Sequence, residues 1–202
     1  YSIWTTDCSQ AFLNSPVEYD KHYFVRPPPG CGSPGMVWGL GRYLYGLKSS
    51  PAAWMNTLST ELKKHGFKTF EDDPCMLRLR RGDSEIIAEV FVDDVKWGTN
   101  DEELLKTIIA KVGDRFAITV GNTAVTTANR DDVDWEAARI KTYLGLRYTH
   151  DTSQPGKHTL VVDQTAYIDK IVKRFKLHDV FTSKAVPLPQ MSNVDDLYRV
   201  MG

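Results

Sequence analysis

The sequence predicts an α+β fold, an antiparallel sheet backed by helices in a split β-α-β, ferredoxin-like arrangement. Three observations predict it. Residues 75–80 and 85–92 are strand-like and flank the turn Arg81-Gly82-Asp83-Ser84, which is the pattern of a β-hairpin. Trp54, Leu58 and Leu62 recur at i, i+4 and i+8, and Leu104, Leu105, Ile108, Ile109 and Val112 form a second helical stripe. The 202 residues are 42% hydrophobic and 25% charged, a composition that supports a packed core and excludes wholesale disorder or a fibre.

Taken in order, residues 1–7 (YSIWTTD) are rich in β-formers and predict a strand, followed by a short helical turn at Ala11-Phe12-Leu13 and a loop from Asn14-Ser15-Pro16. Pro27-Pro28-Pro29-Gly30 through Gly35 is too rich in Pro and Gly for regular structure, and an extended segment restarts at Val37-Trp38-Gly39-Leu40 and reaches Gly46. Ser49 or Ser50 is placed to cap the next helix, Pro51 suits its first turn and Gly66 its stop. The second strand of the hairpin is expected to run to Asp93-Asp94, with a return strand from Val95. Asn100 with Glu103 forms a capping box for the second helix.

Residues 122–141 are polar and poorly periodic, which predicts an inserted loop with one short helix around Trp135 to Ile140. Tyr143-Leu144-Gly145-Leu146 and Thr159-Leu160-Val161-Val162 predict a further hairpin. A last helix over about 164–176 is expected to bury Ile168, Ile171, Val172 and Phe175. From Thr182 the Pro187-Leu188-Pro189 segment predicts a linker or tail.

Lys plus Arg total 25 and Asp plus Glu 26, with 11 and 12 of them in residues 1–100. A protein that holds nucleic acid alone usually has a basic excess, so the balance argues mildly against that role. Cys8, Cys31 and Cys75 are widely spaced and show neither disulfide nor zinc-site spacing, which points to a reducing intracellular compartment. No apolar run approaches the ~20 residues of a membrane span. The chain opens at Tyr1 inside a strand-like segment, so it is expected to begin mid-protein.

Four Asp-Asp pairs occur, at 72–73, 93–94, 131–132 and 195–196, and only Asp93-Asp94 directly follows a strand of buried character, Ile86 to Val92. Taken alone that pair is either a polar hairpin turn or a site for a hard divalent cation, since carboxylate oxygens suit Mg²⁺. Asp7 also ends a strand, and on its own it reads equally as a helix cap. Together, three carboxylates from two strand ends can share two cations roughly 3.5–4 Å apart, the arrangement that stabilises both oxygens of an in-line phosphoryl displacement.

At these residues the sequence resembles a known family, the reverse transcriptase domain of copia-type LTR retrotransposons. The resemblance is carried by Asp7-Cys-Ser-Gln-Ala-Phe-Leu-Asn14, Tyr23 to Gly30, Leu44-Tyr-Gly-Leu-Lys48 with Pro51 and Trp54, Gly66-Phe67, and Phe91-Val-Asp-Asp94. It continues through Tyr143-Leu-Gly-Leu146, Gln164-x-x-Tyr-Ile168, Arg174-Phe175 and Pro187, in family order over nearly the whole chain. It implies a polymerase palm over residues 1–148, a hairpin and helix toward the thumb over 149–181, and a linker or tail over 182–202. It further implies RNA-directed DNA polymerisation with two Mg²⁺ ions, or Mn²⁺, on Asp7, Asp93 and Asp94. Substrates would be an RNA template, a DNA primer and deoxynucleotides. Cys8 would offer its backbone carbonyl to a metal, and Lys48 would belong to the nucleotide site. Phe12 resembles the aromatic gate that excludes a ribose 2′-hydroxyl, although a core aromatic would look the same. Tyr143, Leu144, Gly145 and Leu146 resemble the primer grip, where packing alone also accounts for the Tyr and Leu. Trp54 reads as core.

The departures point the other way. Family members usually carry Gln where this chain has Ser49 and often Arg where it has Ala52, and the segment 122–141 is long beside the family's short connection. Set beside the family, the chain is expected to lack the basic fingers before Asp7 and the RNase H region after the thumb. The alternative reading is therefore a domesticated, inactive palm that serves as a structural or interaction subunit of a larger assembly. Gly30-Cys-Gly-Ser-Pro-Gly35 fits a dinucleotide motif only literally, with Pro34 where a helix should start, and Arg81-Gly82-Asp83 reads as a hairpin turn.

Overall fold

Strand pairing is antiparallel throughout the computed structural model, which describes residues 1–154 and 157–176. In chain order, β1 (Ser2–Cys8) leads through a 3₁₀ turn at Ala11–Asn14 to a small pair, β2 (Phe24–Val25) and β3 (Trp38–Gly39). Helix α1 (Ser50–Lys64), β4 (Lys68–Thr69), β5 (Met76–Arg81), β6 (Ser84–Phe91), β7 (Asp94–Thr99), α2 (Glu102–Gly113), β8 (Ile118–Val120) and β9 (Thr123–Ala124) follow. After 3₁₀ turns at Arg130–Asp132 and Trp135–Ala138 come β10 (Thr142–Tyr143), β11 (Leu146–Gln154), β12 (Lys157–Asp163) and α3 (Thr165–Phe175). The chain divides into two units, Tyr1–Ile140 and Lys141–Gly202. The linker expected at 182–202 and the carboxylate pair at 195–196 lie outside the described residues.

The first unit is a mixed α+β body, as the sequence predicts. Its main sheet has the order β4-β5-β6-β7-β1-β8-β9, so β1 lies between β7 and β8 although both follow it in the chain. The helix pattern is borne out where apolar spacing carries it: Trp54, Leu58 and Leu62 of α1 and Leu105, Ile108, Ile109 and Val112 of α2 join the core with Leu77, Leu79, Ile86, Val95 and Trp97 of the sheet. Helix α1 stops at Gly66, whose φ of +99° suits glycine. There Gly66 N–H donates to the Lys63 carbonyl at 3.0 Å and Phe67 N–H to that of Leu62 at 3.2 Å, the paired bonds of a Schellman stop.

The helix starts differ from expectation. Neither Ser49 nor Ser50 caps α1 with its side chain. Ser49 shares a 2.9 Å hydrogen bond with the Tyr23 hydroxyl, and Ser50 Oγ donates to the Leu44 carbonyl at 2.5 Å, so both serines tie the helix to preceding chain. Helix α2 is capped by Asp101, which accepts from Leu104 N–H at 2.9 Å. Asn100 is drawn away to the neighbouring hairpin, accepting from Glu85 N–H at 2.7 Å and donating to the Asp83 carbonyl at 2.8 Å. Two adjacent residues could each cap, and the cross-strand bonds decide between them.

One further expectation needs correction, and two features lie beyond what the sequence shows. The extended segment from Val37 is a strand only at Trp38–Gly39. β8 carries no sequence signal of its own because three residues are too few for a period to show. The expected loop at residues 122–141 is fastened to the body: Trp135 stacks on Trp4 with centroids 5.7 Å apart, Ile140 N–H donates to the Ile3 carbonyl at 3.0 Å, and Asp114 accepts from Thr127 N–H at 2.8 Å. The short helix expected there is the 3₁₀ turn at Trp135–Ala138.

In the second unit β11 stands between β10 and β12. Tyr143 and Leu146 pair with each other, while Tyr148 opposes Val162, so the expected hairpin resolves into two. Helix α3 forms where expected, but Ile168 and Phe175 are exposed and Ile171 and Val172 only half-buried. An apolar stripe states where a helix can bury, and the hydrophobic core among the described residues draws only on Trp4 to Ala138.

Candidate active site

Sheet register brings the singled-out carboxylates together. On β1, Asp7 lies opposite Asp94 of β7 and, on its other side, opposite Thr119 of β8. Phe91 pairs with Asp94, which leaves Val92-Asp93 as a two-residue hairpin loop. The strand break thus falls two residues earlier than the sequence suggests, and Asp94 begins the return strand. Cys8 N–H donates to the Asp93 carbonyl at 2.8 Å, stitching the end of β1 to that loop.

The loop is held in an unusual shape. Val92 has a φ of +56°, which a β-branched residue rarely adopts. From beneath, Trp54 of α1 donates its indole N–H to the Val92 carbonyl at 2.6 Å. The indole is fully buried and meets Phe116 edge-on at 5.1 Å. The core role expected for Trp54 is correct, and its one polar atom also fixes the loop that presents Asp93.

Electrostatics mark the same place. Burial, then the charge of Asp93, raises the Asp7 pKa above the usual carboxylate range. Burial raises Asp94 in the same sense, with the charges of Asp93 and Asp7 adding to it. Cys8 is buried in this negative field and its thiol is pushed up to about 12, so it stays protonated and unreactive. Among the described residues no group of three or more Asp, Glu, His or Cys side chains is placed to hold a metal ion. The residue types are those a hard divalent cation takes: three carboxylates come from adjoining strand ends, and the burial and mutual charge that raise two of them are costs a cation would offset. Asp72-Asp73 and Asp131-Asp132 are exposed in loops and turns.

The remaining residues fall at three places. Phe12 is buried in the 3₁₀ turn just past Cys8, and its ring lies 4.5 Å, centroid to centroid, from that of Tyr45. Lys48 is exposed just past the same Tyr45 loop. Tyr143, Leu144, Gly145 and Leu146 make a tight turn in the second unit, with φ of +48° at Leu144 and +80° at Gly145. Sequence reasoning missed Tyr45, whose phenol pKa is raised by burial and then by the charges of Asp93 and Asp7. Its position in Leu44-Tyr-Gly-Leu-Lys48 was the available signal, but no periodicity separates it from Tyr43, which is buried.

Residues 1–190 match the family described as reverse transcriptase (RNA-dependent DNA polymerase). The Retrovirus-related Pol polyprotein from transposon RE2 of Arabidopsis thaliana is 35% identical over 120 residues, covering 58% of this chain and 8% of that protein. The corresponding polyprotein from transposon RE1 of the same plant is 33% identical over 121 residues, again 58% of this chain and 8% of that protein. The Transposon Ty1-GR3 Gag-Pol polyprotein of Saccharomyces cerevisiae is 27% identical over 174 residues, covering 86% of this chain and 9% of that protein. The chain therefore spans under a tenth of the length of these relatives.

Proposed function

The chain belongs to the reverse transcriptase family of copia-type retrotransposons, and from that premise we propose that it forms the palm of an RNA-directed DNA polymerase. The observation that carries the reading is the register of Asp7 against Asp94, with Asp93 in the adjoining loop. The strand order β6-β7-β1-β8 supports it, because β1, α1, β6, β7, α2 and β8 in that chain order are what a split β-α-β palm needs. In this reading residues 1–148 are the palm and 149–181 lead toward a thumb.

Asp7, Asp93 and Asp94 would hold two Mg²⁺ ions, or Mn²⁺. Bound there, the ions would offset charge on the transferring phosphoryl group and make the primer 3′-hydroxyl easier to deprotonate. The Trp54 bond and the Cys8–Asp93 bond keep the acidic loop in one shape, so the carboxylates need little rearrangement during reaction. Lys48, exposed beyond the Tyr45 loop, would meet the triphosphate of a deoxynucleotide. The turn Tyr143-Leu144-Gly145-Leu146 would steady the end of a DNA primer paired to the RNA template. Burial and neighbouring charge hold Asp7 and Asp94 above their ordinary pKa, so cation binding there would strengthen as pH rises through their titration.

Metal binding tests the donor set. Titration with Mn²⁺, followed by loss of the free-ion EPR signal, is expected to show retention by the chain and not by an Asp93→Asn/Asp94→Asn variant. Equal retention by both would remove the site from these residues.

A further inference from the structure

Strand β5 reads Met76-Leu-Arg-Leu-Arg-Arg81, and its alternation sorts charge from core. Leu77 and Leu79 are buried, so Arg78 and Arg80 lie on the opposite, outer face of the sheet. Buried Val95 and Cys8 place Asp94 and Asp7 on that same outer face. From Phe91, which opposes Asp94, to Ile87, which opposes Arg78, is four residues of β6, or about 13 Å. A basic corner thus shares one surface with the acidic cluster without belonging to it.

The third cation comes from the sheet edge, where Lys68 of β4 sits directly opposite Arg78. Like charges in directly opposed positions destabilise a strand pair, and little nearby offsets these. Glu85 serves both guanidiniums: it lies 2.6 Å from Arg80 Nε and 3.8 Å from Arg78 Nε, and it also accepts from the Tyr1 hydroxyl at 2.5 Å. Lys68 has no ion-pair partner among the described residues. The Arg78 guanidinium lies over the Phe70 ring, 5.2 Å from its centroid, which steadies it. Lys68, Phe70, Arg78 and Arg80 line one cavity of about 530 Å³. Glu71 and Asp72 line it as well, yet among the described residues no ion pair joins them to the three cations. Three cations therefore border an open volume with one shared counter-charge, a local excess that the even total of 25 basic and 26 acidic residues conceals.

We propose that Lys68, Arg78 and Arg80 form a phosphate-binding site at the β4–β5 edge of the sheet. Phosphate oxygens would accept from the guanidiniums and the ammonium, and their charge would relieve the repulsion between Lys68 and Arg78. The phosphate belongs either to the backbone of a nucleic-acid strand crossing the outer face or to a free phosphate compound. The inference stands on sheet register and charge, and it holds whether or not the carboxylates polymerise.

Two measurements separate the sources: fluorescence anisotropy with a labelled single-stranded oligonucleotide lacking a terminal phosphate, and thermal melting with inorganic pyrophosphate. Arg78→Gln, Arg80→Gln and Lys68→Gln are compared with Lys111→Gln, which removes the same charge from the exposed side of α2. For a backbone phosphate, each of the first three should weaken oligonucleotide binding about threefold or more and lower the slope of log affinity against log salt by about 0.7. Lys111→Gln should keep the parent's values. For a free phosphate, pyrophosphate should raise the melting temperature of the parent and of Lys111→Gln but not of the other three. In either case Lys68→Gln should melt above the parent without ligand, because the opposed charge is gone. If Arg78→Gln fails to fold once Phe70 is uncovered, Arg80→Gln carries the comparison, since that side chain is 64% exposed. Binding of neither ligand, equal binding of both by parent and variants, or a loss as large in Lys111→Gln would overturn the proposal. The Asp93→Asn/Asp94→Asn variant should bind as the parent does, so loss of the polymerase reading would leave this site standing.

Discussion

The indole nitrogen of Trp54 and the carbonyl oxygen of Val92 are 2.6 Å apart, one on a core helix and the other in the loop that carries Asp93. Val92 stands at a φ of +56°, a conformation that costs a β-branched residue free energy and persists only when its surroundings hold it. The surroundings here are a fully buried indole on one side and, through Asp93, the amide of Cys8 on the other. Two hydrogen bonds thus hold the strained loop that carries the Asp93 carboxylate.

Trp54→Phe keeps an aromatic in the core but removes the donor, leaving the Val92 carbonyl short of a partner. The expected loss of stability is about 1–3 kcal/mol in urea unfolding. The loss of nucleotidyl transfer should exceed what that destabilisation explains, because the loop is free to leave its shape. Equal activity per folded molecule would show that the bond supports only the fold.

The raised pKa values of Asp7 and Asp94 give a signed dependence on pH. Between the ordinary carboxylate range and the raised values the folded chain holds protons that the unfolded chain has released, so metal-free stability falls as pH rises through that window. At neutral pH Asp94→Asn should therefore melt above the parent without metal, and the advantage should vanish toward about pH 3, where both forms are neutral. Added Mg²⁺ should raise the parent's melting temperature more than the variant's. Melting curves with and without Mg²⁺ across that pH range check all three signs.

A Cβ on Gly113, the last residue of α2, would fall 1.9 Å from the Val125 carbonyl oxygen. Gly113→Ala must push the fastened 122–141 segment off the helix and is expected to cost about 3 kcal/mol. Gly41→Ala is the contrast, since a Cβ there meets nothing within 4 Å, and it should be near neutral in the same denaturation series.

How much was legible in the sequence depended on how locally each feature was encoded. The α1 stripe and its Gly66 stop could be read because 3.6-residue spacing and a left-handed glycine are local signals, and residues 54, 58, 62 and 66 carry both. The α2 cap was misplaced by one residue because Asn100 and Asp101 are both good caps, and only the bonds of Asn100 to Glu85 and Asp83 take it out of contention. β8 and the pairing of Asp7 with both Asp94 and Thr119 depend on partners far along the chain. The apolar stripe of α3 was readable, but its exposure was not, since burial depends on what the rest of the unit supplies. At the site the three carboxylates could be picked out as strand-end acids. The Trp54–Val92 bond and the ring of Tyr45 over Phe12 could not, because each joins segments more than 30 residues apart.

The most direct test of the palm reading is primer extension by the purified chain on an RNA template with Mg²⁺ or Mn²⁺, run beside the Asp93→Asn/Asp94→Asn variant. Extension by the parent and none by the folded variant is the predicted result. Extension by the variant at the parent's rate would contradict it, and so would no extension by a folded parent supplied with metal together with none by a longer, fingers-complete chain, which would leave a palm that serves an assembly as a structural part.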